Sequence, residues 1–380
     1  MPSTTNHQPS TIDHRPSTID HRPKAIVLLG STGSIGVNTL IIAERYDLPV
    51  EALVAGTNID LLNEQIARFQ PRMVAIARAE DRERVNHPEV YVGEEGILEL
   101  LERSSSPTVV NALVGYAGMR PTLKAIELGR HVALANKESL VVAGEFIDTS
   151  NITPIDSEHF GLWYLMNGRP VDRLVITASG GAFRDWKLED MKTATFANAL
   201  KHPNWSMGNK ITIDSATMTN KLFELLEAKW LFDTTNVDAV IEKKSIIHAL
   251  IEFVDGSTTA HFAGVDMKLP IAFALFGEVH EPILPPTDLL GIGPLEFQPI
   301  DPARYPIWQI KDHILANPHL GVIVNAANEV AIPAFERGDV TFFEMADMVL
   351  DAVRHFDDVH PASVEEIIAV DREVREYVKN

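Results

Sequence analysis

Two short stretches of this chain concentrate its chemistry. Asp156-Ser157-Glu158-His159 and Asn220-Lys221-Leu222-Phe223-Glu224 bring together three carboxylates, an ammonium, an amide and a hydroxyl. An all-oxygen set without cysteine suits Mg²⁺ or Mn²⁺ better than Zn²⁺. Asp156 and Glu158 stand two residues apart, so on an extended backbone they point the same way. They can then chelate one ion, with Glu224 as a third ligand. Taken singly, Asp156 or Ser157 reads more simply as the N-cap of a helix beginning near His159. Lys221 and Glu224 are spaced i, i+3 and share one side of a helix, which in isolation is an ordinary surface ion pair.

A second group of residues suits a phosphorylated substrate. Ser179, from the loop Ser179-Gly180-Gly181, and Ser215, Asn220 and Lys221 are hydrogen-bond donors for a phosphate. The net charge is -20, so Lys221 supplies local positive charge that an anionic ligand otherwise lacks. The same acidity argues against nucleic acid as a partner. His202-Pro203-Asn204-Trp205-Ser206-Met207-Gly208 combines two helix breakers with an exposed-looking Trp and Met. That is the composition of a mobile lid closing an apolar surface over a ligand.

These residues need a scaffold, and the sequence describes one. An apolar run at 25–29 ends in glycine and reads as a buried parallel strand. Gly30-Ser31-Thr32-Gly33-Ser34-Ile35-Gly36 follows and opens a helix. Glycines let the backbone approach a pyrophosphate, and the helix N-terminus offers free N–H groups. The spacing is GxxGxxG rather than GxGxxG. The next strand ends in Ala55-Gly56-Thr57-Asn58, with no acid for a ribose 2′-hydroxyl, which favours NADP over NAD. No Arg or Lys stands there either, so a 2′-phosphate would rest on hydroxyl, amide and backbone donors.

Further strands are expected at 73–76, 108–113 and 131–135, with helices at 60–69 and 121–128. Alternating strand and helix means a doubly wound, Rossmann-like parallel sheet over residues 24–150. From about 151 the texture becomes α+β. Strands are expected at 171–177, 245–253 and 257–262, and a helix at 216–231; this catalytic region runs to 280. Residues 281–306 read as a Pro- and Gly-rich linker. Residues 307–380 read as a C-terminal helical domain, with helices at 325–337, 341–356 and 363–379.

A chain of 380 residues is too long for one core. Its 45% hydrophobic and 23% charged residues are ordinary for a folded protein. No apolar run reaches the roughly 18 residues of a membrane helix. The absence of cysteine excludes disulfides, thiolate metal sites and thiol-dependent dehydrogenases. Residues 1–23 carry a duplicated polar heptad, Pro9 to Arg15 and Pro16 to Arg22, and are expected to be a disordered tail. His14 and His21 within it read as solvated side chains.

The motifs together resemble the 1-deoxy-D-xylulose 5-phosphate reductoisomerase family. The resemblance rests on Leu29 through Gly36, Ala135-Asn136-Lys137-Glu138-Ser139-Leu140-Val141 and Asp156 through His159. It continues in Ser179-Gly180-Gly181, His202 through Gly208, Ile213 through Lys221, and Asn325-Ala326-Ala327-Asn328-Glu329. It implies NADPH-dependent, metal-assisted rearrangement and reduction of 1-deoxy-D-xylulose 5-phosphate to 2-C-methyl-D-erythritol 4-phosphate, on the non-mevalonate isoprenoid route. It implies NADPH at Thr32, Gly33, Ser34, Ile35, Gly56, Thr57, Asn58, Asn136, Glu138 and Gly208. A divalent metal would sit on Asp156, Glu158 and Glu224, with Mg²⁺ or Mn²⁺ favoured and Co²⁺ a further candidate. Substrate would contact Lys137, Ser157, Glu158, Ser179, His202, Trp205, Ser215, Asn220, Lys221 and Glu224. Lys137 and His202 join the metal ligands as catalytic candidates, and Trp205 would be the lid residue. The family implies a cytoplasmic homodimer of three domains.

Two departures stand out. Leu222-Phe223 replaces the usual Gly-Leu beside the metal ligand. Glu242-Lys243-Lys244-Ser245 replaces the frequent His-Pro-Gln-Ser, while His248 is kept. The alternatives are a related NADP-dependent reductase of another sugar phosphate, and a non-catalytic nucleotide-sensing regulator. The regulator reading predicts loss of Asp156, Glu158, Glu224 or Lys221, and all four are present.

Overall fold

The structure, a computed structural model, describes residues 23–380. The duplicated heptad lies outside the described residues.

Seven short strands form one parallel sheet. They are β1 (Ile26–Leu29), β2 (Val50–Ala55), β3 (Met73–Ile76), β4 (Val90–Val92), β5 (Thr108–Asn111), β6 (His131–Leu134) and β7 (Ile152–Pro154). Their spatial order is β4-β3-β2-β1-β5-β6-β7. The apolar run of β1 is explained by burial on both faces. Val27 and Leu29 enter one core with β5 and β6, while Ile26 and Leu28 enter another. The chain winds one way from β1 to β4 and the other way from β5 to β7. The switch between β1 and β5 opens a crevice at their carboxyl ends, where such sheets bind ligands.

The sheet exceeds the sequence reading by two strands. β4 and β7 have three residues each, too few to show periodicity. β7 is an edge strand, which tolerates Pro154 at its end. It delivers the chain directly to Asp156.

A second, four-stranded sheet contains β8 (Val171–Ala178), β9 (Val237–Ile241), β10 (Ile247–Phe253) and β11 (Thr258–Phe262), in the order β11-β10-β8-β9. β8 and β9 are parallel; the other pairs are antiparallel. The helices Ser157–Leu165 and Thr219–Phe232 pack on this sheet. Both therefore have a buried face as well as a face toward the crevice. The sequence did not separate β9 from its surroundings.

The helix expected at 216–231 is two helices, Asn209–Thr217 and Thr219–Phe232. Met218 breaks them with φ +69, a left-handed conformation unusual for a residue with a Cβ. The break turns the second helix so that Asn220, Lys221 and Glu224 line the crevice. Another helix, Lys268–Phe276, returns to the first sheet and covers the face formed by Ile26, Leu28 and Leu53. Its sequence is apolar on every side, so it carries no helical stripe to read.

Three long helices close the chain: Gly321–Arg337, Phe342–His355 and Val364–Lys379. The first packs on the other two and on the short helix Glu138–Ala143 of the first sheet. Among the described residues no helix is long and apolar enough to cross a membrane.

Candidate active site

A cavity of about 310 Å³ lies between the two sheets. Gly33, Ser34 and Ile35 line it, as do Asp156, Glu158, Asn220, Lys221 and Glu224. The glycines of the first loop divide their work. A Cβ at Gly30 would lie 2.3 Å from the Ala112 carbonyl oxygen, and one at Gly36 would lie 2.2 Å from that of Gly30. Those two are required by chain packing, whereas Gly33 is exposed in the cavity wall.

Asp156 is the N-cap of the helix Ser157–Leu165, and its Oδ1 accepts from the Glu158 N–H at 3.2 Å. The segment is therefore helical from Ser157 and not extended through Glu158, contrary to the expectation from the spacing. The cap and cation readings are compatible, because the N-cap and the first helical turn sit at the same open end of a helix. Ser157 donates to Glu158 Oε2 at 2.6 Å. Asp156, Glu158 and Glu224 offer oxygens all within 4.8 Å of one another.

Two lysines stand among these carboxylates. Lys137 pairs with Asp156 and, at 2.7 Å, with Glu224 Oε1. Lys221 pairs with Glu224 and, at 2.8 Å, with Glu158 Oε1. Asn220 Nδ2 donates to Glu224 Oε1 at 2.5 Å. Burial opposes the charge on both lysines, yet the carboxylates raise both pKa values, Lys137 well above its ordinary range. Burial likewise opposes ionisation of Asp156, but Lys137 holds it well below the usual carboxylate range. Glu158 goes the other way. Burial and the neighbouring Glu224 outweigh Lys221 and push it up to about 8. Two carboxyls two residues apart are thus driven in opposite directions by their surroundings.

Behind the cluster lies a fully buried pair that the sequence analysis did not anticipate. His159 Nδ1 faces Glu227 Oε2 at 3.2 Å, and Nε2 lies 2.8 Å from the Glu224 carbonyl oxygen. Burial disfavours the imidazolium, but Glu227 and Asp156 raise its pKa to about 9. Glu227 is itself pushed up to about 7 by burial, against the pull of His159. Glu227 lies one turn past Glu224, the only signal the sequence carries for it.

The segment expected to be a lid is anchored at its start. His202 Nδ1 accepts from the Trp205 N–H at 2.9 Å and the Asn204 N–H at 3.2 Å, which places its proton on Nε2. Nε2 then donates to Ser179 Oγ at 2.8 Å. Burial, with Arg184 nearby, lowers His202 to about 4, so it is neutral at ordinary pH. Trp205 is half-buried rather than exposed, with its ring edge-on to His248 at 6.1 Å. The Glu242-Lys243-Lys244-Ser245 departure has a structural use. Buried Glu242 accepts from the Lys244 and Ile246 N–H groups at 2.9 and 3.0 Å. The turn so formed holds Asn204 through the Lys243 carbonyl at 2.7 Å and Ser245 Oγ at 2.6 Å. Leu222 and Phe223 are buried as well, with Phe223 lining the cavity.

The cavity wall gathers Gly33, Ser34, Ile35, Lys137, Glu138, Ser157, Ser179, His202, Trp205, Gly208 and Ser215 beside the carboxylate cluster. It does not include Thr32, Gly56, Thr57, Asn58 or Asn136. Gly56 and Thr57 are exposed beyond the end of β2, and Asn58 caps the helix Ile59–Phe69. Asn136 is buried, its amide donating to the Leu113 and Gly115 carbonyls at 2.9 Å each. It braces the loop after β5.

Comparison with known proteins agrees with this geometry. Sequence models of 1-deoxy-D-xylulose 5-phosphate reductoisomerase match residues 26–144, and models of its C-terminal domains match 152–232 and 262–377. The reductoisomerase of Nautilia profundicola is 57% identical over 363 residues, covering 93% of this chain and 99% of the relative. That of Wolinella succinogenes is 52% identical over 355 residues, covering 93% and 99%. A crystal structure of DOX-P reductoisomerase in complex with NADPH, fosmidomycin and magnesium superimposes with a TM-score of 0.88 at 32% identity, covering 94% of this chain and 97% of that one. The Zymomonas mobilis enzyme in complex with NADPH gives 0.84 at 32% identity, covering 94% and 98%. Matched along nearly all its described length, with relatives more than half identical to it, the chain belongs to the 1-deoxy-D-xylulose 5-phosphate reductoisomerase family.

Proposed function

We propose that the chain converts 1-deoxy-D-xylulose 5-phosphate to 2-C-methyl-D-erythritol 4-phosphate, using NADPH and a divalent metal. The observation that carries this reading is the trio Asp156, Glu158 and Glu224, within 4.8 Å of one another and lining the same cavity as the glycine loop. The trio fits a divalent cation. Its donors are all oxygen, and a dication would favour the ionised form of Glu158, which burial and the neighbouring Glu224 now push up to about 8. When bound, the ion supplies Lewis acidity at the substrate oxygens and NADPH supplies the hydride. Solved relatives were crystallised with magnesium and NADPH, which supports the same pair here. Mn²⁺ and Co²⁺, as substitutes for Mg²⁺, belong to this reading, as does a cytoplasmic homodimer.

The chain's own residues account for binding and orientation. Ser179 Oγ accepts from the His202 Nε2–H and from the Gly181 N–H at 3.1 Å, leaving its own proton for a phosphate oxygen. Ser215 and Asn220 add donors, Lys221 adds charge, and Ser157 stands beside Glu158. Lys137 bridges Asp156 and Glu224, so it is placed to yield those oxygens to a cation and turn its ammonium to the substrate. Trp205 lines the cavity, where closure over the bound substrate would exclude water from the rearranging intermediate. On the cofactor side, Thr32 to Ile35, Gly56, Thr57 and Asn58 follow β1 and β2, Glu138 and Gly208 line the cavity, and Asn136 braces the loop after β5. The test is oxidation of NADPH by the purified chain with 1-deoxy-D-xylulose 5-phosphate and Mg²⁺. Absence of turnover, or undiminished turnover in Glu224→Gln, would sink the reading.

A further inference from the structure

The end of the lid is held by a second buried network, distinct from the carboxylate trio. Lys210 is the second residue of the helix Asn209–Thr217, two residues past the lid glycine Gly208. A cation there opposes the helix dipole, so local helix stability does not explain it. Its Nζ lies 2.8 Å from Glu138 Oε1 and 2.8 Å from Asp214 Oδ2. Each carboxylate is completed by an amide. Asn136 Nδ2, whose two hydrogens are shared with the Leu113 and Gly115 carbonyls, lies 3.1 Å from Glu138 Oε2, and Asn328 Nδ2 donates to Asp214 Oδ1 at 2.7 Å. The next residue, Glu329, accepts from the Tyr116 N–H and from Arg375, both at 2.7–2.8 Å. The Lys210 ammonium also lies 5.4 Å over the Phe223 ring, where the family usually has leucine.

These contacts join three parts of the molecule at one lysine. Glu138 opens a helix of the parallel sheet, Asp214 belongs to the helix after the lid, and Asn328 belongs to the long C-terminal helix. We infer that Lys210 is a positioning residue whose Glu138–Lys210–Asp214–Asn328 tether transmits NADPH occupancy of the nucleotide site to the order of the lid. The inference rests on the reductoisomerase reading, since it needs Glu138 beside the bound cofactor. The C-terminal helix then has a stated part in the reaction: it fixes Asp214, and with it the downstream hinge.

The test uses the full chain and the variants Lys210→Met, Lys210→Arg, Asn328→Ala and Phe223→Leu. Steady-state constants for 1-deoxy-D-xylulose 5-phosphate are measured with Mg²⁺, and chymotryptic cleavage after Trp205 is followed with and without NADPH. NADPH is expected to protect Trp205 in the wild type and to lose that effect in Lys210→Met. KM in Lys210→Met rises about tenfold with a smaller change in kcat, the size expected for loss of coupling. Lys210→Arg recovers most of the protection, and Asn328→Ala and Phe223→Leu fall between. Retained protection and KM in Lys210→Met would overturn the tether. So would a joint fall of kcat, KM performance and unfolding midpoint that arginine does not rescue. A wild type that is protected by NADPH yet does not oxidise it would instead count against the reaction assigned above.

Discussion

The carboxylate cluster of Asp156, Glu158 and Glu224 and the tether of Glu138, Lys210 and Asp214 use the same side-chain types in one cavity. They differ in how each charge is completed. In the tether, each carboxylate has the lysine on one oxygen and an amide on the other. Burial would raise Glu138, yet Lys210 lowers it, and the lysine is itself raised. In the cluster, three carboxylates lie within 4.8 Å of one another around two lysines, and burial together with Glu224 pushes Glu158 up to about 8. A fully satisfied buried network holds a structure together. A crowded one stores a need that a bound cation meets. That difference separates charge that fixes positions from charge that awaits a ligand better than residue identity does.

The most severe way to break the contrast is Glu224→Gln. It removes a proposed metal ligand and the acceptor shared by Lys137, Lys221 and Asn220. Turnover should fall on the order of a thousandfold, by NADPH oxidation. Asp214→Asn should act on the other cluster in the opposite sense. It removes a charge-assisted bond from a satisfied network, so unfolding free energy should fall by about 2–3 kcal/mol in denaturant titration. Glu158→Gln sharpens the comparison. The carboxylate of Glu158 is disfavoured in the folded state, so its loss should abolish activity without lowering the unfolding midpoint at pH 8. A midpoint lowered as much as in Asp214→Asn would erase the distinction.

A smaller effect concerns pH. The folded pKa of Glu158, about 8, lies above the ordinary 4.5. Its contribution to metal-free stability is therefore present below pH 4.5 and lost as pH rises through 8. Cation binding must displace that proton, so Mg²⁺ affinity by calorimetry should tighten by up to about tenfold per unit between pH 6 and 8 and then level off. His202 is lowered to about 4 and stays neutral through this window. The smallest effect is expected for Trp205→Phe, which keeps an aromatic cover over the cavity. KM should rise a few-fold, about 1 kcal/mol of lost contact, with kcat nearly unchanged.

Much of this was readable from residue order. The apolar run of β1 and the glycines behind it required a buried strand and a tight turn, because nothing else satisfies Leu28 and Leu29 on both sides. The all-oxygen character of the candidate ligands and the absence of cysteine narrow the cation from composition alone. The family followed from motifs in order. Other features needed the fold. The left-handed Met218 and the three-residue strands β4 and β7 arise from long-range packing, which outweighs weak local signals. Lys210 and Asp214 show only an i, i+4 spacing in the sequence, while their partners Glu138 and Asn328 lie 72 and 114 residues away along the chain. The sequence determined which groups are present and how many carboxylates a cation would meet. Only the tertiary structure decided which are crowded and which are satisfied, because that depends on distances in a buried, weakly screened interior where a few ångströms change the sign of a charge's contribution.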